Sequence, residues 1–366
     1  MKIVSDCRYV RIDHHDGISR YSARITAALA RRAQAAGHQV TMLISDERQL
    51  KLLPDLPWAI GPSPTAVGEP WVARRVNRLG ADVVFTPMQT MGTLARRRYR
   101  LVKTLHDLIY YRHRTPPREL PGLVRVLWRL YHLAWWPQRA LLNRADAVAT
   151  VSATTKRLIA EHRLTTRPVV VVSNAADPAP AGTPVDRPAP DLDAEGGCDL
   201  VYMGSFMPYK NVETLARAMH ELPGYRLHLL SRITPAARAR LLALAPEGSL
   251  VVHDGTSEDE YRALLLQARA LVTASQDEGF GLPLVEAMVL GTPIVVSDIP
   301  IFREIGGDAA LFAPADDPTA FAAAIRRLED PDAWRAHSAA AVSQAAHFDW
   351  DRSAAALLEL LEELAS

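Results

Sequence analysis

At 366 residues the chain is longer than one ordinary α/β core and fits two domains of typical size. Its 48% hydrophobic and 23% charged residues exclude a wholly disordered chain. The most aromatic stretch, residues 123–142, is broken by Arg125, Arg129, His132, Pro137 and Arg139, which excludes a spanning helix of about 18 apolar residues.

The net charge of +1 conceals a strong polarity: residues 1–180 hold 28 Lys and Arg against 13 Asp and Glu, and the remainder 14 against 28. Either the halves attract each other or the basic half meets an anionic surface. Nucleic acid is not expected, because the basic residues are scattered over many elements. Two distant cysteines, Cys7 and Cys198, lack metal-ligand spacing and read as structural thiols of a reducing compartment. Residues 1–6 run straight into a strand, with no basic, apolar and small-residue leader pattern. A cytoplasmic protein is expected, with peripheral contact at the inner face of a membrane as an option.

Residues 2–5, 39–44, 82–86, 101–105, 147–151 and 169–172 are short and β-branched or apolar, as buried parallel strands should be. Between the first two, residues 19–36 repeat apolar side chains at helical spacing, and Gly37 stands where a C-cap glycine belongs. Asp16-Gly17-Ile18-Ser19 lies in the loop that opens this helix. His106 ends the fourth strand at its C-terminal edge, where doubly wound sheets hold ligands; the bland alternative is a hydrogen-bonded structural histidine.

Residues 118–144 mix Arg118, Arg125, Arg129, Arg139 and Arg144 with Leu123, Leu127, Trp128, Trp135 and Trp136. Such a helix suits an anionic interface, or it is a core helix whose arginines face solvent. Residues 176–197 are rich in Pro, Ala, Gly and Asp and read as the linker. The Asp191-Leu192-Asp193 within it imitates a metal-binding D-x-D, a poor setting for such a site, and no Cys/His set is spaced for zinc.

A second βα series follows, with strands at 199–203, 226–230, 249–252, 270–273 and 292–296. After its first strand come Gly204-Ser205-Phe206-Met207-Pro208-Tyr209-Lys210-Asn211, a glycine turn with a lysine at the next helix. Lys210 can meet a diphosphate as a point charge, or be an ordinary surface lysine. After the fourth strand come Glu278-Gly279-Phe280-Gly281-Leu282-Pro283-Leu284-Val285-Glu286. Gly279 and Gly281 permit close backbone approach, and a helix starting near Leu282 offers unpaired N–H groups to an anion. Glu278 precedes that turn and Glu286 lies about one turn inside the helix, so both can face one ligand through carboxylates that accept from adjacent hydroxyls. Alternatively the glycines merely turn the chain and the glutamates are solvated.

The E-x7-E string, with Gly291-Thr292-Pro293-Ile294-Val295-Val296-Ser297-Asp298 and Arg303-Glu304-Ile305-Gly306-Gly307, resembles the retaining glycosyltransferases of family 4. The likeness is dense over residues 199–320. It implies the GT-B architecture, an α/β fold of two Rossmann-like parallel-sheet domains facing across a cleft. On that basis residues 1–176 are the acceptor domain, 177–197 the linker, 198–348 the nucleotide-sugar donor domain, and 349–366 a helix packing back on the first domain.

The resemblance further implies that Gly204 and Lys210 meet the donor phosphates, with Gly279, Phe280, Gly281 and Leu282 beside them and the backbone of Gly17 facing the donor from the first domain. Glu286 would bind the ribose diol, Glu278 the sugar hydroxyls, and His106 the transferred sugar or the acceptor. Two departures stand out: Asp16 replaces one of the two glycines usual before the first helix, and Ser205 and Tyr209 accompany Lys210 without the arginine of many members. Implied too are retention of configuration, no metal or other cofactor, and transfer of a hexose. The donor expectation is GDP-mannose first, then a UDP- or dTDP-sugar; the acceptor expectation is a glycan or a lipid-linked glycan. A nucleotide-sugar epimerase or hydrolase of the same fold, or a non-catalytic nucleotide-sugar sensor, are the competing readings.

Overall fold

The computed structural model describes residues 1–12, 17–116, 122–180, 182–183, 187–191 and 198–366. Asp16, Arg118, Leu192 and Asp193, singled out above, lie outside the described residues. The chain divides into two units: residues 1–174 with 349–366, and residues 175–348.

Unit 1 holds β1 (Lys2–Asp6), β2 (Gln39–Ile44), β3 (Trp58–Ile60), β4 (Val83–Thr86), β5 (Arg100–Leu105), β6 (Ala147–Thr150) and β7 (Val169–Val171). Every pairing is parallel and the order is β3-β2-β1-β4-β5-β6-β7. Unit 2 holds β8 (Cys198–Tyr202), β9 (Tyr225–Leu229), β10 (Leu250–Val252), β11 (Ala270–Thr273), β12 (Ile294–Ser297) and β13 (Ala310–Ala313), also parallel, in the order β10-β9-β8-β11-β12-β13. The central strands β4, β6, β11 and β12 are buried at every residue, as a sheet covered on both faces requires.

Two strands escaped the sequence pattern. β3 is three half-exposed residues at the sheet edge, too short to show a period. β13 reads Ala-Leu-Phe-Ala, a string equally good for a helix, and becomes a strand by pairing with β12.

The helix Gly17–Ala35 buries Tyr21, Ile25, Ala28, Leu29 and Ala33, and Gly37 follows it at φ +74°, the left-handed turn that favours glycine. Its partner is the last helix, Trp350–Ala365, capped by the Asp349 carboxylate accepting from Arg352 N at 2.8 Å. Leu357 and Leu361 are fully buried there, each contributing about 1.5–3 kcal/mol. The Ser353 hydroxyl donates to the Ser173 carbonyl at 2.9 Å, and Arg31 pairs with Asp351 at 2.8 Å.

Within the proline-rich stretch, Arg187 is buried in unit 2. It donates to the Leu266 carbonyl and to Thr292 Oγ1 at 2.7 Å, with its guanidinium 5.2 Å from the Trp334 ring centre. Residues 122–144 form two helices, Gly122–Tyr131, which buries none of its residues, and Trp136–Leu142, which buries Gln138 and Leu142.

Candidate active site

In each sheet the strand order reverses at one place, between β1 and β4 in unit 1 and between β8 and β11 in unit 2. The loops leaving the C-terminal ends of the two strands at such a place diverge and leave a crevice. In unit 2 those loops are residues 203–211 and 274–281, which carry the two motifs read from the sequence. They are tied together by Gln276 N donating to the Tyr209 carbonyl at 2.7 Å.

Lys210 closes the short 3-10 turn Pro208–Lys210, and Asn211 follows in the left-handed region at φ +51°. The Asn211 amide holds that bend by donating to the Ala315 carbonyl at 2.7 Å and Asp316 Oδ1 at 3.0 Å. Across the crevice the Lys210 ammonium is ion-paired to Glu278 Oε1, which also accepts from the Ser275 hydroxyl at 3.0 Å. Both side chains keep a little exposure, 16% for Lys210 and 14% for Glu278. The sequence assigned them separate partners; the structure brings them together.

Gly281 stands at φ +90° immediately before the helix Leu282–Val289, and a Cβ on it would meet the buried Phe302 ring at 2.9 Å. Conformation and space both demand glycine. Phe280, 5% exposed, meets the edge of Phe348 at 5.5 Å and anchors the turn. A Cβ on Gly204 would meet the Tyr202 hydroxyl at 2.8 Å, so the tyrosine side chain packs closely on that glycine. Glu286 faces Tyr261, whose hydroxyl donates to its Oε2 at 3.1 Å. Ser275 and Tyr261 were not legible in the sequence: each orients a glutamate from a part of the chain with no motif of its own.

In unit 1 the loops at the reversal are pinned by Thr86 donating to Asp6 Oδ2 at 3.1 Å and by the Tyr9 and Thr90 hydroxyls, 2.8 Å apart. Asp6 is fully buried with Arg8, which pairs with it at 2.7 Å and with Glu69 at 2.9 Å. Sequence reasoning missed this triad, since each member alone looks like a surface charge.

His106, just beyond β5, bonds through Nε2 to the Pro87 carbonyl at 2.7 Å, and Tyr21 meets its ring edge-on at 5.1 Å. A carbonyl only accepts, so Nε2 carries the proton and Nδ1 is the acceptor of the neutral ring. Burial pushes its pKa below the ordinary 6.5, outweighing the Pro87 bond. Gly17 has no conformational need of its own, and a Cβ there would meet nothing within 4 Å.

Solved structures share this architecture along the whole chain. Sucrose-phosphate synthase from Thermosynechococcus elongatus matches with a TM-score of 0.70 at 19% identity, covering 99% of this chain and 98% of that one. Anabaena Alr3699/HepE in complex with UDP and glucose matches at 0.70 and 17%, covering 99% and 100%. The fold is that of the GT-B glycosyltransferases. A family model described as "Glycosyltransferase Family 4" matches residues 22–179, and one described as "Glycosyl transferases group 1" matches residues 191–346. The chain belongs to the family 4 glycosyltransferases.

Among curated relatives, the O-antigen chain mannosyltransferase RfbU of Salmonella typhimurium is 46% identical over 78 residues, 21% of this chain and 22% of that protein. The O-antigen chain mannosyltransferase B of Escherichia coli is 32% identical over 171 residues, 41% and 42%. The D-inositol 3-phosphate glycosyltransferase of Acidothermus cellulolyticus is 26% identical over 252 residues, 61% and 55%. The matched segments thus span about a fifth to about a half of these relatives' own lengths.

Proposed function

We propose that the protein transfers a hexose, mannose in the first instance, from a nucleotide-diphosphate sugar to a glycan or lipid-linked acceptor with retention of configuration. The carrying observation is the Lys210–Glu278 pair beside the helix start at Leu282, at the strand-order reversal of unit 2. There a cation, a carboxylate and the backbone N–H groups of the helix start lie at the crevice where this sheet type takes ligands, and Glu286 follows about one turn into the same helix. Lys210 and the helix N–H groups are assigned the donor diphosphate, Glu286 the ribose diol and Glu278 the sugar hydroxyls. The acceptor hydroxyl attacks the anomeric carbon as its bond to the diphosphate breaks, and its proton passes to the departing phosphate. Lys210 and the helix start take up the leaving charge, the task a metal ion performs in other transferases.

In unit 1 the neutral imidazole of His106 is assigned a sugar or acceptor hydroxyl. GDP-mannose is favoured as donor by the mannosyltransferase relatives, and a UDP-sugar comes next because Alr3699/HepE binds UDP and glucose. Contact with an anionic membrane is proposed for the helix Gly122–Tyr131, which exposes Leu123, Val126, Leu127 and Leu130 beside Arg125 and Arg129. Among the described residues no helix is long and apolar enough to cross a membrane.

Thermal unfolding with GDP, UDP and dTDP tests the reading: the cognate diphosphate raises the melting temperature, and Lys210→Ala abolishes the rise. Incubation of GDP-mannose with and without a mixed glycan acceptor pool, in excess chelator, then follows transfer. Hydrolysis or sugar rearrangement alone would overturn the transferase reading, and a requirement for added magnesium or manganese would overturn its metal-free form.

A further inference from the structure

β8, β9 and β10 lie side by side in unit 2, with Asp199 opposite Arg226, Val201 opposite His228, and His228 opposite Val251. Residues two apart on a strand share a face, so Asp199, Arg226 and His228 stand on one face of the sheet. His253 continues β10 by donating its backbone N–H to the Leu229 carbonyl at 3.0 Å, and it stands on that face too. His228 is buried, 6% exposed. Its Nε2 lies 3.0 Å from Asp199 Oδ1, and its Nδ1 lies 3.0 Å from His253 Nε2. Arg226 holds the same carboxylate oxygen at 2.7 Å.

Burial alone would raise the Asp199 pKa, but the bonds from His228 and Arg226 outweigh it and lower it, so the group is ionised. A carboxylate only accepts. His228 Nε2 therefore carries a proton, and its Nδ1 accepts from His253 Nε2, both rings being neutral. One added proton leaves that bond in place: it sits on His253 Nδ1, or on His228, whose imidazolium then donates to His253 in its other tautomer. A second added proton puts an N–H on each of the two facing nitrogens and a positive charge on each ring, and the contact cannot persist. The charges acting on the pair are Asp199 from β8, Arg226 from β9 and Glu260 from the helix Glu258–Gln267. Asp259 and Arg262 of that helix pair with each other at 3.2 Å. Burial and the neighbouring His228 lower the His253 pKa against the pull of Glu260.

Glu260 also closes the start of its helix. Its Oε2 accepts from Ser257 N at 2.8 Å and from the Ser257 hydroxyl at 2.9 Å, and Ser257 Oγ accepts from Glu260 N at 3.2 Å. The next residue, Tyr261, is the one that bonds Glu286. We propose that His228 and His253 form a proton-operated latch on the nucleotide site, closed with no or one added proton and open with two. Once it opens, the His253 imidazolium draws the Glu260 carboxylate off Ser257, the first turn of the helix loosens, and Tyr261 no longer orients Glu286. The effect on the nucleotide rests on the reading of Glu286 as the ribose acceptor.

Long-range 1H–15N correlation of the histidine side chains, followed on the full chain from about pH 8 to about pH 5, reads the proton on each ring nitrogen. The pair should take up its protons in two separated steps, the second accompanied by shifts of the Ser257 and Glu260 amides. Independent titration of the two rings, or amides that stay still through both steps, would overturn the latch. Binding of GDP-mannose and UDP-glucose, whose esterified diphosphates keep their charge over this range, is measured at both ends. The cognate sugar nucleotide should bind about five-fold more weakly at the acid end, the loss of one neutral hydrogen bond. His253→Gln keeps a donor toward His228 and cannot be charged, so it should bind alike at both ends. A fall of wild-type size in that variant would assign the effect to another group and overturn the proposal. Glu260→Gln keeps the cap, which glutamine also serves, and removes the charge that favours the second proton, so opening should move to lower pH. Absence of sugar-nucleotide binding at either pH would reject the donor reading, and the ring titration would still decide the latch.

Discussion

Lys210 and Glu278 lie 68 positions apart in sequence and share one ion pair at the strand-order reversal of unit 2. A diphosphate that recruits Lys210 must compete with Glu278 for the same ammonium. Pairs with residual exposure contribute about 0–1 kcal/mol. Glu278→Gln, which removes the competing charge and keeps the shape, is therefore expected to tighten nucleoside diphosphate binding up to about five-fold. Sugar transfer should fall sharply in the same variant. Titration calorimetry with GDP and a transfer assay check the two halves separately, and weaker GDP binding would show that Glu278 holds Lys210 in place for the phosphate.

Glu286→Ala should weaken the diphosphate by about ten- to a hundred-fold, since hydrogen bonds to a charged group contribute roughly 1.5–3 kcal/mol. Tyr261→Phe, which removes the 3.1 Å bond to the Glu286 carboxylate, should cost far less. Equal affinity of wild type and Glu286→Ala in the calorimeter would remove Glu286 from the ribose position.

Glycines 281 and 17 make opposite predictions. Gly281→Ala forces a side chain into the left-handed region and against Phe302, a loss of about 1–3 kcal/mol from overpacking and strain. Gly17→Ala meets open space at an ordinary backbone conformation and should leave the melting temperature unchanged. Loss of activity in Gly17→Ala without loss of stability would mark the backbone there as a ligand contact.

The imidazole of His106 resists protonation in the folded state, whereas the unfolded chain takes up a proton near the ordinary 6.5. Its contribution to stability is complete above that pH and is lost as pH falls from there toward the depressed folded value. His132 and His253 are shifted in the same direction by burial and add to the slope. Urea unfolding at about pH 7.5 and about pH 5.5 should show lower stability at the acid end, and a shallower fall in His106→Asn.

If the exposed apolar face of Gly122–Tyr131 meets a membrane as proposed, the protein should bind anionic vesicles in a salt-sensitive way, and Leu127→Glu should weaken that binding. Sedimentation with the folded protein decides it. Absence of binding at low salt would favour a soluble acceptor.

Much of this was readable before any coordinates. Buried parallel strands announce themselves by short β-branched runs, and Gly281 and Leu282 sit in one local string whose turn and helix start follow from neighbouring residues alone. The Lys210–Glu278 pair was not readable, because it depends on the order of β8 and β11 within the sheet. In unit 1 His106 was readable from its place at a strand end, but its partners, the Pro87 carbonyl and the Tyr21 ring, come from elsewhere in the chain and carry no spacing that marks them. For residues 118–144 periodicity showed an apolar face but could not say whether anything covers it.

The helix Trp350–Ala365 lays Leu357 and Leu361 into unit 1 although 174 intervening residues, 175–348, belong to unit 2. During synthesis the first unit therefore leaves the ribosome with the face of Gly17–Ala35 uncovered, and it receives its cover only after residues 350–365 have emerged. A chain stopped short at residue 348 would carry a complete second unit and a first unit with an open apolar seam, the kind of surface that chaperones hold and proteases find.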